Sequence, residues 1–256
     1  LSYSRHSLKG YTFLQAGGHS PLEPIFDYSR DGILKSIEDS LTRLELDEID
    51  IIFIHDPDEG ESVETEKFGE PAHYEQALDE SFPVLAELRS QGLLKAIGVG
   101  MNQWQALARF IKDSDLDCIL LAGRYTLLDQ SALPELLPLC ETRGVGVVLG
   151  GPYNSGVLAS PSSPNSTYFY SKTPGGVLER INGIGAICDK YNVSLKAASL
   201  QFVLNHSVVT TVIPGSTSPA EMEENMSVAI EPIPSDMWDE LKHEGYIENG
   251  APTPTK

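Results

Sequence analysis

The chain has 256 residues, 41% of them hydrophobic, which is enough to bury a large core in one domain spanning residues 1–256. Its 37 acidic residues against 18 basic ones leave a formal charge of -19, which repels phosphate backbones and anionic lipid and excludes nucleic acid and membrane as expected partners. Cys118, Cys140 and Cys188 stand singly in apolar segments, without zinc or dithiol spacing, and read as buried free thiols of a protein in a reducing, cytoplasmic compartment. No run approaches the roughly 20 apolar residues of a membrane span, and the polar start LSYSRHSLKG holds no apolar signal core.

Taken in chain order, loops rich in Pro, Gly, Ser and acids separate amphipathic stretches from short β-branched runs. A loop from His19 to Asp27 precedes a helix over Ser29–Leu44 and a strand over Ile49–Ile54. After a second loop from Asp56 to His73 come a helix over Tyr74–Gln91, a strand over Lys95–Val99 and a helix over Gln103–Asp113. The pattern repeats with a strand over Asp117–Leu121, a helix over Pro134–Arg143 and a strand over Val145–Leu149. A third loop, Tyr153–Pro174, leads to helices over Gly175–Tyr191 and Ser194–Asn205, a strand over Val208–Ile213, and helices over Ser218–Ala229 and Ser235–Glu244. In Ser218-Pro219-Ala220-Glu221 the serine is placed to accept a helix-start amide and the glutamate to complete a capping box.

This alternation predicts βα units around a parallel sheet. A closed barrel requires eight strands, whereas five are visible here and a sixth can be accommodated in the first few residues. Together with the initial leucine, the shortfall leads us to expect a sequence truncated at its N-terminus, with an open doubly wound sheet as the alternative.

Ligands of parallel α/β sheets sit at the C-terminal strand ends. His55 ends one strand, where an imidazole can polarise a carbonyl oxygen or exchange a proton near neutral pH; a histidine bonded to nearby backbone is the plainer alternative. Asp56 and Asp58 raise a metal alternative, but Pro57 stiffens the turn and no second histidine recurs at ligand spacing, so no metal is expected. The run from Pro214 to Ser218 offers amides and hydroxyls to an anion at a helix start, and the glycines among residues 150–156 let backbone approach a ligand closely. An ordinary capped turn is the bland reading of the first.

The stretches SIEDSLTRLELDEIDIIFIHDPD, LAELRSQGLLKAIGVGMNQWQ, AGRYTLLDQ, GVGVVLGGPYNSGVLAS and VIPGSTSPAEMEENM resemble, in this order, the aldo-keto reductases, and among them the aldose 1-dehydrogenase branch. The resemblance implies a (β/α)8 barrel of the TIM type, incomplete here by about its first two to three βα units. It also implies hydride transfer between a nicotinamide cofactor and a carbonyl or sugar carbon by Asp, Tyr, Lys and His. His55 matches the family histidine, no residue matches the Asp or Tyr, and Ser4, beside Arg5, stands where the Lys is expected. The usual mechanism is therefore expected to be absent from this chain alone.

By the same resemblance Ile213, Pro214, Gly215, Ser216, Ser218, Glu221, Glu224 and Asn225 align with the segment that holds the adenosine end of the cofactor, and Asn102, Gly151, Pro152, Ser155 and Gly156 complete the cofactor set. Gly215 and Glu221 occupy places where cationic residues bind the 2′-phosphate of NADP, and a carboxylate there repels it, so NAD is expected over NADP. Ala122 and Gly150 replace the family Gln and nicotinamide-stacking Tyr, with Arg124 and Tyr153 as substitutes; Trp104 and Tyr153 are candidate platforms for a sugar ring. The expected partner is a small sugar or carbonyl compound oxidised at C1 to the lactone, and a catalytically dead dinucleotide-binding protein or a gene fragment is the rival. Oligomeric state is left open.

Overall fold

The computed structural model describes residues 2–4, 23–58, 73–160, 167–168 and 171–254. The chain forms two compact units, Leu1–Asp117 and Cys118–Lys256. In the first, β1 (Ser2–Ser4) and β2 (Glu23–Ile25) precede α1 (Arg30–Leu44) and β3 (Ile51–His55); α2 (Tyr74–Gln76), a π-helical turn (Ala77–Ser81) and α3 (Phe82–Ser90) then lead to β4 (Ala96–Met101) and α4 (Trp104–Asp113). Strands β3 and β4 run parallel, with Ile51 opposite Ala96 and His55 opposite Gly100.

Three features differ from the sequence expectation. The first residues do not add a sixth parallel strand: β1 pairs antiparallel with β2, Tyr3 opposite Pro24, in a separate two-stranded ribbon. Part of the expected loop before Asp27 is thus extended, because proline fixes its own φ and drives the preceding residue to β geometry, and a ribbon leaves half its N–H groups unpaired in any case. The helix expected over Tyr74–Gln91 contains the π turn, which lies directly ahead of Pro83. Proline in a regular helix loses a hydrogen bond and presses on the carbonyl four residues back, and a locally widened turn relieves both. Within the expected loop from Tyr153 to Pro174, Thr167–Tyr168 (β7) and Ser171–Lys172 (β8) form a short antiparallel pair.

The second unit places β5 (Cys118–Ala122), β6 (Gly146–Gly150) and β9 (Val209–Ile213) side by side and parallel, with Ala122 opposite Gly150 and Gly150 opposite Ile213. Helices α5 (Leu136–Arg143), α6 (Gly175–Lys190), α7 (Leu195–Leu204), α8 (Pro219–Val228) and α9 (Ser235–His243) accompany them. Ile119, Leu121, Val147 and Leu149 are buried on the strands, and Phe202 and Trp238 are buried on α7 and α9. Cys140 and Cys188 are buried and free, and burial pushes both thiols up to about 12. Among the described residues no helix is long and apolar enough to cross a membrane, and no group of His, Cys, Asp and Glu is arranged to hold a metal ion.

Candidate functional site

In the first unit His55 occupies the C-terminal end of β3, and Asn102 follows the end of the neighbouring β4. Because His55 lies opposite Gly100, the two residues belong to adjoining strand exits. The ladder continues one residue further, where the Asp56 amide donates to Gly100 O at 2.8 Å. Asp56 then turns the chain with a left-handed φ of 42°, a conformation that the short side chains of Asp and Asn tolerate better than most. The His55 side chain is 56% exposed, and its Nε2 lies 3.6 Å from Asp56 Oδ2. Partial desolvation lowers the proton affinity of His55, and burial raises the Asp56 carboxyl to about 6. The neutral imidazole form is thereby favoured near pH 7, as polarising or accepting from a hydroxyl requires.

Asp56 binds its proton more tightly when folded than when unfolded, so its ionisation costs stability. The cost is absent below the unfolded value of 3.8, grows as pH rises through about 6, and reaches at most about 3 kcal/mol. Asp56→Asn is therefore expected to stabilise the protein at pH 7 and to remove the gain in stability that the wild type shows between pH 6 and pH 4. Denaturant melts of both proteins across that range check it.

In the second unit the loop after β6 takes left-handed conformations at Gly151 (φ 60°), Asn154, Ser155 and Gly156 (φ 93°). Gly123, after the adjacent β5, donates its amide to Gly150 O at 3.0 Å. The residues after β9 lie beside this loop, since β6 and β9 are neighbours. A hydrogen-bonded string, buried at its Tyr153 end, joins the two: Tyr153 Oη donates to Asn225 Oδ1 at 2.9 Å, and Asn225 Nδ2 donates to Ser216 Oγ at 2.9 Å. Pro152, Tyr153 and Asn225 are buried, whereas Gly151, Ile213, Gly215, Ser218, Glu221 and Glu224 are exposed. The second unit thus gathers Gly151, Pro152, Ser155 and Gly156 with the residues from Ile213 to Asn225. Tyr153 acts there as a brace, with its ring flanked by the Lys196 ammonium, and Lys196 pairs with Glu224.

The helix start of α8 departs in one detail from a capping box. Ser218 Oγ accepts from the Glu221 amide at 3.3 Å, but the Glu221 carboxylate reaches back past the cap to Thr217, accepting from its amide at 2.6 Å and from its hydroxyl at 3.1 Å. These bonds hold the carboxyl below its ordinary range, so it is charged at neutral pH. An exposed helix start with polar backbone and hydroxyls suits the phosphate end of a dinucleotide, and a fixed carboxylate suits ribose hydroxyls better than a second phosphate.

The string from Tyr153 to Ser216 was not visible in the sequence, nor was the role of Tyr28, whose hydroxyl reaches the carbonyls of His55 and Asp56. Asn225→Ala, which leaves the buried Tyr153 hydroxyl without its acceptor, is expected to cost about 1–3 kcal/mol and to weaken dinucleotide binding, as read by thermal melts with and without NAD.

Each unit thus places polar residues at the C-terminal ends of parallel strands, where ligands of parallel α/β folds bind. The model of the Aldo/keto reductase family matches residues 16–244. The chain is 39% identical over 238 residues to a pyridoxal 4-dehydrogenase of Microbacterium luteolum, covering 91% of this chain and 68% of that protein. It is 37% identical over 230 residues to a D-threo-aldose 1-dehydrogenase of a Pseudomonas species, covering 90% and 65%. The chain therefore spans about two thirds of the length of these relatives. Among solved structures, a holo aldo-keto reductase from Bacillus halodurans superposes with a TM-score of 0.63 at 23% identity, over 85% of this chain and 68% of that one. A glycerol dehydrogenase from Gluconobacter oxydans gives 0.67 at 18% identity, over 100% and 73%. The chain belongs to the aldo/keto reductase family, whose fold is the TIM barrel and whose members are NAD(P)-dependent oxidoreductases.

Proposed function

We propose that this chain carries the histidine side and the cofactor side of an NAD-linked dehydrogenase that oxidises an aldose at C1 to its lactone. One observation supports the cofactor choice: the Glu221 carboxylate is anchored on Thr217 at the start of α8, at a position that the family resemblance matches with the binding of a 2′-phosphate. When bound, the nicotinamide ring would take the hydride from the sugar carbon. Ile213, Pro214, Gly215, Ser216, Ser218, Glu224 and Asn225 would hold the adenosine end, and Asn102, Gly151, Pro152, Ser155 and Gly156 the remainder. His55 would orient the substrate oxygen through its neutral imidazole. The names of the two relatives support the substrate class, since aldose C1 and the pyridoxal aldehyde are both carbons at the aldehyde level of oxidation. Buried, free cysteines fit a reducing cytoplasmic setting.

A second reading, a dinucleotide-binding protein without turnover, is favoured by Ser4, which by the family resemblance stands at the place of the lysine, although β1 itself pairs antiparallel with β2 outside the parallel sheet. Incubating the purified chain with NAD and a panel of aldoses and pyridoxal, while following NADH, separates the two. NADH formed with an aldose supports the dehydrogenase. Protection from unfolding by NAD with no NADH from any substrate supports the second reading.

A further inference from the structure

Tyr28 is buried and immediately precedes Ser29, whose hydroxyl caps α1 by accepting from the Gly32 amide. Its phenol donates towards His55 O at 2.6 Å and Asp56 O at 3.1 Å, sharing one proton between the two carbonyls that flank the turn out of β3. Tyr28 is itself held from two sides. Ser81 Oγ, at the end of the π turn, donates to Tyr28 O at 2.6 Å, and the His73 ring stacks on the phenol ring at 5.0 Å between centroids. His73 also donates its amide to Pro57 O at 2.9 Å, so the turn is tied on its far side. A phenylalanine would fill the same volume, so packing by itself does not call for a hydroxyl aimed at these two carbonyls. The π turn joins the network because it sets Ser81 against the backbone of Tyr28; such widened turns recur at functional sites.

We propose that Tyr28 is a positioning residue: its hydroxyl, backed by Ser81, fixes the His55–Asp56 exit of β3 and so sets the direction and the surroundings of the His55 imidazole. The inference rests on the reading of His55 as the imidazole that meets the substrate oxygen, and on no contact between Tyr28 and substrate or cofactor. Among the described residues, Asp56 presents a carboxylate 3.6 Å from His55 Nε2 and sits on the same turn.

Carbon-13-detected histidine ring signals of the labelled chain test it, with the His55 signal assigned by its loss in His55→Gln. In Tyr28→Phe the His55 signal is expected to shift and its proton affinity to rise about threefold to tenfold as the freed turn relieves the remaining desolvation of the half-exposed ring, while His206 and His243 stay where they are. Ser81→Ala, which keeps the phenol, is expected to move His55 in the same direction by less. An unmoved His55 in a folded Tyr28→Phe protein would overturn the proposal, and so would loss of folding by both variants, since the network would then hold the unit together without aiming one side chain. Protection by NAD is expected to stay within about twofold in Tyr28→Phe. If NAD protects neither protein while His55 still moves, the functional reading fails and the role of Tyr28 stands.

Discussion

Glu221→Arg is expected to shift the dinucleotide preference from NAD toward NADP by about one to two orders of magnitude. The substitution removes a carboxylate that is charged at neutral pH and places a guanidinium at the start of α8. A charge-assisted bond to a phosphate contributes about 1.5–3 kcal/mol, which is the tenfold to hundredfold range in affinity. Arginine cannot accept the two bonds that Thr217 donates, so some of the gain is offset by a looser loop. Glu221→Gln separates the effects, because it keeps an acceptor for Thr217 and loses only the charge. It is expected to bind NADP better than the wild type does, but less well than Glu221→Arg. Calorimetric titration of both dinucleotides into the three proteins gives the ratio. An Arg variant with the wild-type ratio would remove Glu221 from the cofactor site.

The largest loss of stability is expected from Phe202→Ala. Phe202 is completely buried, 5.1 Å from the Tyr125 ring and 6.5 Å from the indole of Trp238, centroid to centroid. Truncation there removes the transfer energy of the ring and leaves a cavity that its rigid aromatic neighbours cannot close, at a cost of about 3–5 kcal/mol. Against a whole-domain stability of about 5–15 kcal/mol, this consumes a large share. Phe202→Leu retains most of the volume and is expected to cost under about 1.5 kcal/mol. Urea melts of the two variants measure the difference, and a loss below about 1 kcal/mol for the alanine would show that the site collapses around the missing ring.

The parallel strands were legible because each is a short run dominated by apolar or β-branched residues, and Ile51–His55 and Cys118–Ala122 fall within a residue or two of their expected bounds. Helix starts were legible where a side chain closes the cap locally, as Ser218 and Ser29 do. Pairings set by distant residues were not. The contact between Tyr153 and Asn225 spans 72 residues, and that between Tyr28 and His55 spans 27. Neither leaves a periodic trace in the chain. The ribbon of Ser2–Ser4 with Glu23–Ile25 was missed because a proline-bearing segment reads as loop when its partner is unknown. His55 was legible by its place at a strand end; the left-handed turn at Asp56 and the burial that raises the Asp56 carboxyl were not, since nothing about an Asp-Pro-Asp run distinguishes it from an exposed turn.

The account depends on the loop and helix start after β9 accepting NAD in preference to NADP. Thermal unfolding of the purified chain with each dinucleotide tests that directly, because a ligand held by the folded state alone at about a hundred times its dissociation constant adds about 2.7 kcal/mol of stability. The expected result is a clear upward shift of the melting temperature with NAD and a much smaller one with NADP at equal concentration. Equal shifts, or none with either, would contradict it.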